Sequence, residues 1–132
     1  MRENGPVIYQ KIDTPKGRIV KILLNRPDHG NRIDGEMWHD FMEAVDMASA
    51  DREARVVIFG GVGDDFCCGF DTGDPSVSLN ANEDGAVSFA DRRENTWEEV
   101  DTWLKIYNMR KPTICMTQGT VLGGGWLIAM SC

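Results

Sequence analysis

The chain has 132 residues, a formal net charge of −7 and 42% hydrophobic residues. This length suits a single domain with a substantial core, and the acidic balance argues against nonspecific binding to nucleic acid. No stretch has the apolar length of a membrane span, and the first residues lack the apolar segment of a secretory signal. We therefore expect a cytoplasmic domain that binds neither nucleic acid nor membrane, although a helix end or local basic patch could still bind an anion.

Cysteine and histidine usage argues against a metal centre. The chain has four cysteines, which are Cys67, Cys68, Cys115 and Cys132. None of them has zinc-ligand spacing with a histidine, and in a reducing cytosol they are better explained as small buried hydrophobic residues. With only His29 and His39 available, we expect neither a metal cluster nor a histidine-based catalytic triad.

The first half of the chain predicts a β-hairpin followed by a strand–helix–strand unit. Residues 7–12 alternate in polarity, and residues 18–24 form a second apolar run after a Pro-Lys-Gly turn. Apolar residues then recur at helical spacing over residues 35–50, with Asp34 as the predicted N-cap. Residues 55–60 read as a buried strand, so the order of elements favours a parallel crossover.

The second half predicts a flap, a helix and a strand. Residues 72–93 are rich in Asp, Asn, Ser and Gly without periodicity, which indicates a flexible flap. A helix capped by Asn95 or Thr96 follows, and residues 113–118 form the next strand. The apolar face predicted for this helix comprises Trp97, Val100, Leu104 and Tyr107, with Trp103 beside it.

Three consecutive glycines, residues 123–125, stand between that strand and an apolar run typical of a buried helix. Glycine lets backbone approach a partner without a Cβ, and a helix start presents free N–H groups to a negative or developing negative oxygen. A second glycine-containing segment, residues 66–71, also follows a predicted strand. N–H groups from both segments could converge beyond the sheet as an oxyanion hole, although from spacing alone tight helix–sheet packing is the slightly better explanation of each glycine cluster.

Four stretches occur in an order typical of one family. They are residues 22–31 (Ile-Leu-Leu-Asn-Arg-Pro-Asp-His-Gly-Asn), residues 56–71 (ending in Phe-Cys-Cys-Gly-Phe-Asp), residues 110–114 (Arg-Lys-Pro-Thr-Ile) and residues 119–125 (Gly-Thr-Val-Leu-Gly-Gly-Gly). In this respect the chain resembles the N-terminal half of a crotonase (enoyl-CoA hydratase/isomerase) superfamily subunit. The resemblance implies an α/β fold of the ClpP/crotonase type, a spiral of β-β-α turns, of which residues 1–132 are the N-terminal part.

The resemblance also implies the residues of the site. The N–H groups of Phe70 and Gly124 would hold the thioester carbonyl oxygen of an acyl-coenzyme A and stabilise its enolate. Phe70 replaces the alanine usual in the family, which suggests a reshaped acyl pocket. The coenzyme A thioester is the expected substrate, with no prosthetic group and no metal. The residues expected to contact substrate or coenzyme A are Arg26, His29, Asn31, Cys67, Cys68, Gly69, Asp71 and Gly123. Arg26 could equally well be a solvated surface residue that binds no ligand.

One departure from the family bears on the reaction. Its hydratases place a glutamate three residues after the middle glycine of the triplet, and here that position is Leu127, which cannot transfer a proton. A hydratase/isomerase-like reaction remains the expectation, and the alternatives are a hydrolase or lyase without this glutamate, or a noncatalytic binding or assembly subunit. Asp71 and Asp74 are weaker candidates for the proton transfer. The glycine triplet lacks the lysine and the spacing of a generic nucleotide-binding loop.

The resemblance further implies partners. Family subunits assemble as trimers or pairs of trimers, so we expect a homotrimer or hexamer of complete subunits, or a complementary C-terminal chain. Without a second half, the apolar residues 126–130 would lie uncovered. Trp97, Trp103 and Tyr107 fit either a site for a bulky or aromatic acyl group or the core of a helix, and the core is the better explanation for at least two of them.

Overall fold

The computed structural model describes residues 5–74 and 89–132. Within them a four-stranded sheet has the order β1-β2-β3-β4, with β1 Val7–Thr14, β2 Gly17–Leu24, β3 Ala54–Gly61 and β4 Thr113–Cys115. The first two strands form the predicted antiparallel hairpin, and the other two neighbouring pairs are parallel. The helices are α1 Gly35–Ala50, α2 Phe89–Tyr107 and α3 Gly124–Met130. A short 3-10 helix covers Pro27–His29.

The core lies between α1 and one face of the sheet. On β2 the alternate residues Val20, Ile22 and Leu24 are at most 1% exposed, as expected for a strand with one buried face. The apolar residues that α1 buries recur at helical spacing and are Met37, Phe41, Ala44, Val45 and Ala48. Burying one large apolar side chain contributes about 1.5–3 kcal/mol, so this shared stripe holds the helix on the sheet.

Asp34 starts α1 as predicted. Its carboxylate accepts a hydrogen bond from the Met37 N–H at 2.7 Å, which satisfies one of the free donors of the first turn. The predicted helix over residues 35–50 is confirmed at both ends. The start of α1 thereby lies next to the loop that carries the candidate ligand contacts.

Three predicted boundaries were wrong. Helix α2 begins at Phe89, so residues 89–93 belong to a helix and not to a flap, and neither Asn95 nor Thr96 is its cap. Of the remaining predicted flap, residues 72–74 lie in a turn, and residues 75–88 lie outside the described residues. Strand β4 ends at Cys115. The Met116 N–H still donates to Phe59 O of β3, but Gln118 O already accepts from the Phe66 N–H, which lies beyond the end of β3.

The predicted apolar face of α2 was also wrong. Thr102, Trp103 and Ile106 are buried, whereas Leu104 is 46% and Tyr107 72% exposed. Both stripes have helical spacing and both contain large apolar residues, so periodicity alone could not separate them. Packing decides, because Trp103 meets Trp38 of α1 edge-on with ring centroids 5.1 Å apart.

Trp103 is therefore a core residue. Trp97 is 60% exposed and Tyr107 72% exposed on the surface of this chain. The interpretation that at least two of these three aromatic residues belong to the core is wrong. None of the helices among the described residues has the length and apolarity needed to cross a membrane, and a cytoplasmic location stays a prediction.

Candidate active site

Residues 66–71 run between two other loops beyond the carboxyl ends of the parallel strands. Parallel bridges pair Ile33 with Phe70 on one side and Cys67 with Val121 on the other. The backbone hydrogen bonds of this arrangement are Cys68 N–H to Gly30 O (2.9 Å), Ile33 N–H to Gly69 O (2.9 Å), Phe66 N–H to Gln118 O (2.8 Å) and Leu122 N–H to Cys67 O (2.9 Å). The fold thus brings together the two glycine-containing segments that the sequence singled out.

The glycine triplet sits directly on residues 66–71. A Cβ on Gly125 would lie 2.6 Å from Cys67 Cβ and 2.8 Å from Cys67 O. A Cβ on Gly124 would lie 2.9 Å from Ile33 Cδ1 and 3.0 Å from the Phe70 ring. Both glycines are buried, so close packing explains them, and the same packing places Gly124 against Phe70.

Gly123 and Gly69 face each other at the exposed end of this contact. A Cβ on Gly123 would lie 3.4 Å from Gly69 Cα. Gly123 has φ 48° and Gly69 has φ 94°, which is the region that L side chains rarely adopt. Both positions therefore require glycine for backbone conformation, and the two loops turn sharply where they meet.

The Phe70 N–H has a direction set by its own peptide group. The Gly69 carbonyl, in the same peptide, accepts a hydrogen bond from the Ile33 N–H at 2.9 Å. Because C=O and N–H point in opposite directions in a trans peptide, the Phe70 N–H points away from Ile33. Within residues 5–74 and 89–132 no backbone acceptor is bonded to it, so this donor is available.

The same reasoning applies to Gly124. The Gly123 carbonyl accepts from the Leu127 N–H at 3.1 Å in the first turn of α3, so the Gly124 N–H points out of the start of the helix. It too has no backbone acceptor in the described part of the chain. Two loops in contact thus each present one N–H that the fold leaves unused.

Arg26 is not a free surface residue. Its guanidinium lies 3.0 Å from an Asp34 carboxylate oxygen and 3.4 Å from an Asp71 carboxylate oxygen, and it donates to the Arg32 carbonyl at 2.7 Å. The side chain is 19% exposed. The alternative of a solvated surface arginine is therefore excluded. The contact with Asp34 could not be inferred from the sequence, which indicated only that Asp34 caps α1.

Asn31 is fully buried and its amide is fully engaged. Its Oδ1 accepts from the Arg26 N–H at 2.8 Å, and its Nδ2 donates to Val62 O at 2.9 Å and Asp65 O at 2.7 Å. Its φ of 51° is positive. Asn31 is not accessible to a ligand in this structure, because the residue is 0% exposed and its side chain joins two loops.

The remaining predicted contact residues differ in accessibility. His29 is exposed at the end of the 3-10 helix, Cys68 is half-buried, and Cys67 is completely buried. Burial raises the pKa of the Cys67 thiol to about 11, so it stays protonated at neutral pH and is a packing residue. Asp71 is half-buried, donates its N–H to Ile33 O at 2.8 Å and pairs with Arg26.

Asp65 was not predicted from the sequence. Its carboxylate accepts from the Thr120 N–H at 2.8 Å, and hydrogen bonds from the Thr120 side chain and N–H hold the pKa of Asp65 below its usual value. Asp65 therefore ties the turn before the glycine triplet to the loop that Asn31 supports. An aspartate in a Gly-Asp-Asp sequence after a strand is common in turns, so no feature of the sequence distinguished it.

Three positions bear on proton transfer. Leu127 lies in α3 and is 40% exposed, with its N–H bonded to Gly123 O. The Asp74 carboxylate accepts from the Gly35 N–H at 3.3 Å, at the start of α1. Asp71 is held by Arg26. In the described part of the chain, the junction of the two loops is therefore bordered by the apolar Leu127.

One group of potential metal ligands lies on α1. Ligand atoms of His39, Asp40 and Glu43 come within 4.8 Å of one another. His39 and Glu43 are exposed, and exposed acidic groups of this kind are common without an ion. We assign no metal site to them.

The sheet and the two interlocked glycine loops beyond its carboxyl ends define an α/β domain of the crotonase type. The chain belongs to the enoyl-CoA hydratase/isomerase family, whose sequence profile matches residues 14–132. This confirms the predicted family and fold.

Individual relatives support the same family assignment. The chain is 32% identical over 147 residues to EchA13 of Mycobacterium tuberculosis, assigned by name to the enoyl-CoA hydratases, covering 99% of this chain and 45% of the relative. It is 33% identical over 114 residues to YhaR of Bacillus subtilis, assigned by name to the enoyl-CoA hydratases/isomerases, covering 86% of this chain and 41% of the relative. The chain therefore spans less than half the length of these relatives.

Solved structures show the same fold. An enoyl-CoA hydratase/isomerase from Xanthobacter autotrophicus superposes with a TM-score of 0.75 at 28% identity, covering 96% of this chain and 44% of that one. An enoyl-CoA hydratase from Mycobacterium smegmatis superposes with a TM-score of 0.76 at 26% identity, again covering 96% and 44%. The described fold is thus the N-terminal part of the crotonase fold.

Proposed function

We propose that this chain forms the N-terminal half of an acyl-CoA-binding enzyme in which the N–H groups of Phe70 and Gly124 stabilise a thioester enolate. The observation that carries the proposal is the pair of unused N–H groups on two loops in contact, each with its direction set by a bonded carbonyl of the same peptide. We use the term complete subunit for this chain together with the remaining half of the fold.

The chemistry follows from where charge develops. Removing a proton from the carbon next to a thioester carbonyl moves negative charge onto the carbonyl oxygen. Two preoriented N–H donors stabilise that charge more than they stabilise the neutral ground state, and they need no reorganisation during the reaction. The chain's own contribution is therefore electrostatic, and the side chains at these two positions need not take part.

The proton has to be moved by other groups. Leu127 stands where family hydratases have a glutamate, and it has no acid–base chemistry. The acid–base residues would then come from the remaining half of the subunit. A hydratase/isomerase-like reaction is the first candidate, and Leu127 keeps a hydrolase or lyase as the second.

The acyl group would lie against aromatic side chains. Phe70 is half-buried, its ring packs on Gly124, and it meets Trp38 edge-on with centroids 5.8 Å apart. Trp38 in turn contacts Trp103. A wall of this kind favours an apolar or aromatic acyl group, while exposed His29 and the backbone of residues 67–69 would meet the nucleotide end of coenzyme A.

The proposed oxyanion hole can be tested through the stretching frequency of the thioester carbonyl of a bound substrate. A bound acyl-CoA with a ¹³C-labelled thioester carbonyl should show a C=O stretching frequency lower than in water, because two hydrogen bonds polarise the bond. The measurement is isotope-edited infrared difference spectroscopy on the complete subunit. An S-alkyl-CoA thioether, which lacks the carbonyl, is the matched control and should bind more weakly. Binding of the thioester without any frequency shift would contradict the proposal.

The complete subunit would also cover an apolar surface. Six large apolar residues of β4, α3 and the segment between them are 40–64% exposed, and we call them the apolar face: Ile114, Met116, Leu122, Trp126, Leu127 and Met130. Exposed clusters of this kind mark interaction surfaces, and β4 is an unpaired edge of the described sheet. We propose that the remaining half of the fold covers it, and that complete subunits assemble as trimers or hexamers.

We expect the 132-residue chain alone to self-associate and to bind a hydrophobic dye. Replacing Leu122, Trp126 and Met130 with serine should remove most of the dye fluorescence, because these three are the most exposed members of the apolar face. Ile12→Ser is the control, since Ile12 is an exposed apolar residue of β1. Analytical ultracentrifugation supplies the second readout. A monodisperse monomer of the unmodified chain that binds no dye would contradict the proposal.

A further inference from the structure

Arg26 contacts residues on both sides of the Ile33–Phe70 bridge. Its Nη1 donates to the Arg32 carbonyl and lies within 3.4 Å of carboxylate oxygens of both Asp34 and Asp71. Its Nη2 lies 3.5 Å from the same Asp71 oxygen. One cation thus links two acidic side chains and a carbonyl that come from three separate positions in the chain.

These three partners are sequence neighbours of Ile33 and Phe70, the two residues of the bridge that holds the Phe70 N–H. Arg32 and Asp34 stand on either side of Ile33, whose N–H holds the Gly69 carbonyl at 2.9 Å. Asp71 follows Phe70, and its own N–H donates to Ile33 O at 2.8 Å. Arg26 therefore contacts the residues that flank the Ile33–Phe70 bridge without touching the bridge itself.

From this arrangement we infer that Arg26 is a positioning residue, which holds the Ile33–Phe70 bridge and so aims the Phe70 N–H at the substrate carbonyl. The inference rests on the proposed function. Without the guanidinium, Asp34 and Asp71 would keep two carboxylates near one point with no cation between them, and their repulsion would separate the two loops. The Phe70 N–H would then no longer point at the substrate carbonyl, whereas the other groups of the site would be unchanged.

The geometry argues against Arg26 as a ligand of the coenzyme A phosphates. Its side chain is 19% exposed, and Nη1 already serves three oxygens, two of them anionic. A phosphate would have to compete with both carboxylates for the same cation. The two roles predict different losses on substitution: phosphate binding sets the affinity for coenzyme A, whereas positioning sets the polarisation of the carbonyl.

The experiment compares Arg26→Gln and Arg26→Lys with Arg52→Gln in the complete subunit. Arg52 is exposed after α1 and serves as the matched control. Four quantities are measured: hydrogen exchange at the Ile33 and Asp71 N–H groups, the ¹³C carbonyl frequency of bound acyl-CoA, kcat, and the affinity for free coenzyme A. For Arg26→Gln we expect exchange at both N–H groups about tenfold faster, loss of most of the carbonyl shift, and kcat about tenfold lower. The affinity for free coenzyme A should stay within about twofold.

Arg26→Lys retains the cation and should recover part of the carbonyl shift, because one ammonium can replace some of the contacts but not the planar fork. Asp71→Asn breaks the same pair from the other side and covers the case in which Arg26→Gln does not fold. Its effects should have the same sign and should not add to those of Arg26→Gln.

The inference is overturned if Arg26→Gln leaves exchange and carbonyl frequency at the wild-type values, or if it lowers coenzyme A affinity tenfold while both stay unchanged. The latter result would assign Arg26 to phosphate binding. Absence of a carbonyl shift in the unmodified subunit is a different result, since it overturns the proposed function itself and the positioning role with it.

Discussion

Replacing Gly124 with proline is expected to lower kcat of the complete subunit by about 10²–10³-fold relative to Gly124→Ala, the loss typical for one oxyanion donor. Proline removes the N–H that points out of the start of α3 and leaves the helix otherwise able to form, since proline is well tolerated at the first helical position. The measurement is steady-state turnover of an acyl-CoA, together with the carbonyl frequency of the bound thioester.

Gly124→Ala is the control for the added Cβ. Both substitutions add a Cβ that would meet Ile33 Cδ1 at 2.9 Å and the Phe70 ring at 3.0 Å. Those neighbours are side-chain atoms that can shift, and the steric cost of the Cβ is common to both variants. The proline ring also places Cδ where the N–H hydrogen pointed, so the carbonyl frequency of the bound thioester is needed beside kcat to show that a hydrogen bond was lost. Equal kcat values for the two variants would show that the Gly124 N–H does not stabilise the transition state.

Replacing Asn31 with alanine is expected to lower the free energy of unfolding by about 3–5 kcal/mol. The substitution removes three hydrogen bonds from a fully buried side chain, and each buried group left without a partner costs about 1–3 kcal/mol, less than additively. Alanine would also have to adopt the φ of 51° found at this position, at a cost of about 1 kcal/mol. Urea denaturation measures the loss.

Two further variants at Asn31 separate these causes. Asn31→Gly removes the same hydrogen bonds but accepts the positive φ, so it should be about 1 kcal/mol more stable than Asn31→Ala. Asn31→Asp keeps the acceptor for the Arg26 N–H but turns a carboxylate oxygen toward the carbonyls of Val62 and Asp65. The folded state then favours the protonated acid, so stability should fall as pH rises through its raised pKa and recover on acidification. A pH-independent loss would contradict this assignment.

Elements with one dominant local pattern were predictable from the sequence, whereas elements with two competing patterns were not. Helix α1 was predicted with its N-cap because one pattern dominates: Asp34 precedes a single apolar stripe at helical spacing, and no second stripe competes with it. Helix α2 carries two stripes, one with Trp97, Leu104 and Tyr107 and one with Trp103 and Ile106. Only contact with Trp38 of α1 decides which of them is buried.

Residue roles at the site divide in the same way. Gly123 and Gly69 require their residue type because of backbone conformation, and glycine in such loops is visible in a sequence. Arg26 and Asn31 lie in a loop where charged and polar residues are ordinary, so the sequence could only place them near a ligand. Their partners, Asp71 and Asp65, are more than 30 residues away in the chain.

By itself, then, the sequence determined the family, the hairpin and α1, and the two glycine segments that meet, since these depend on local periodicity, turn chemistry and motif order. The tertiary structure alone decided that the Phe70 and Gly124 N–H groups have no backbone acceptor among the described residues and that Arg26 is held by carboxylates. It also decided that Asn31 joins two loops through a buried amide. Such properties depend on which distant groups are brought into contact, and hydrogen bonds and ion pairs between distant residues leave no periodic pattern in the chain.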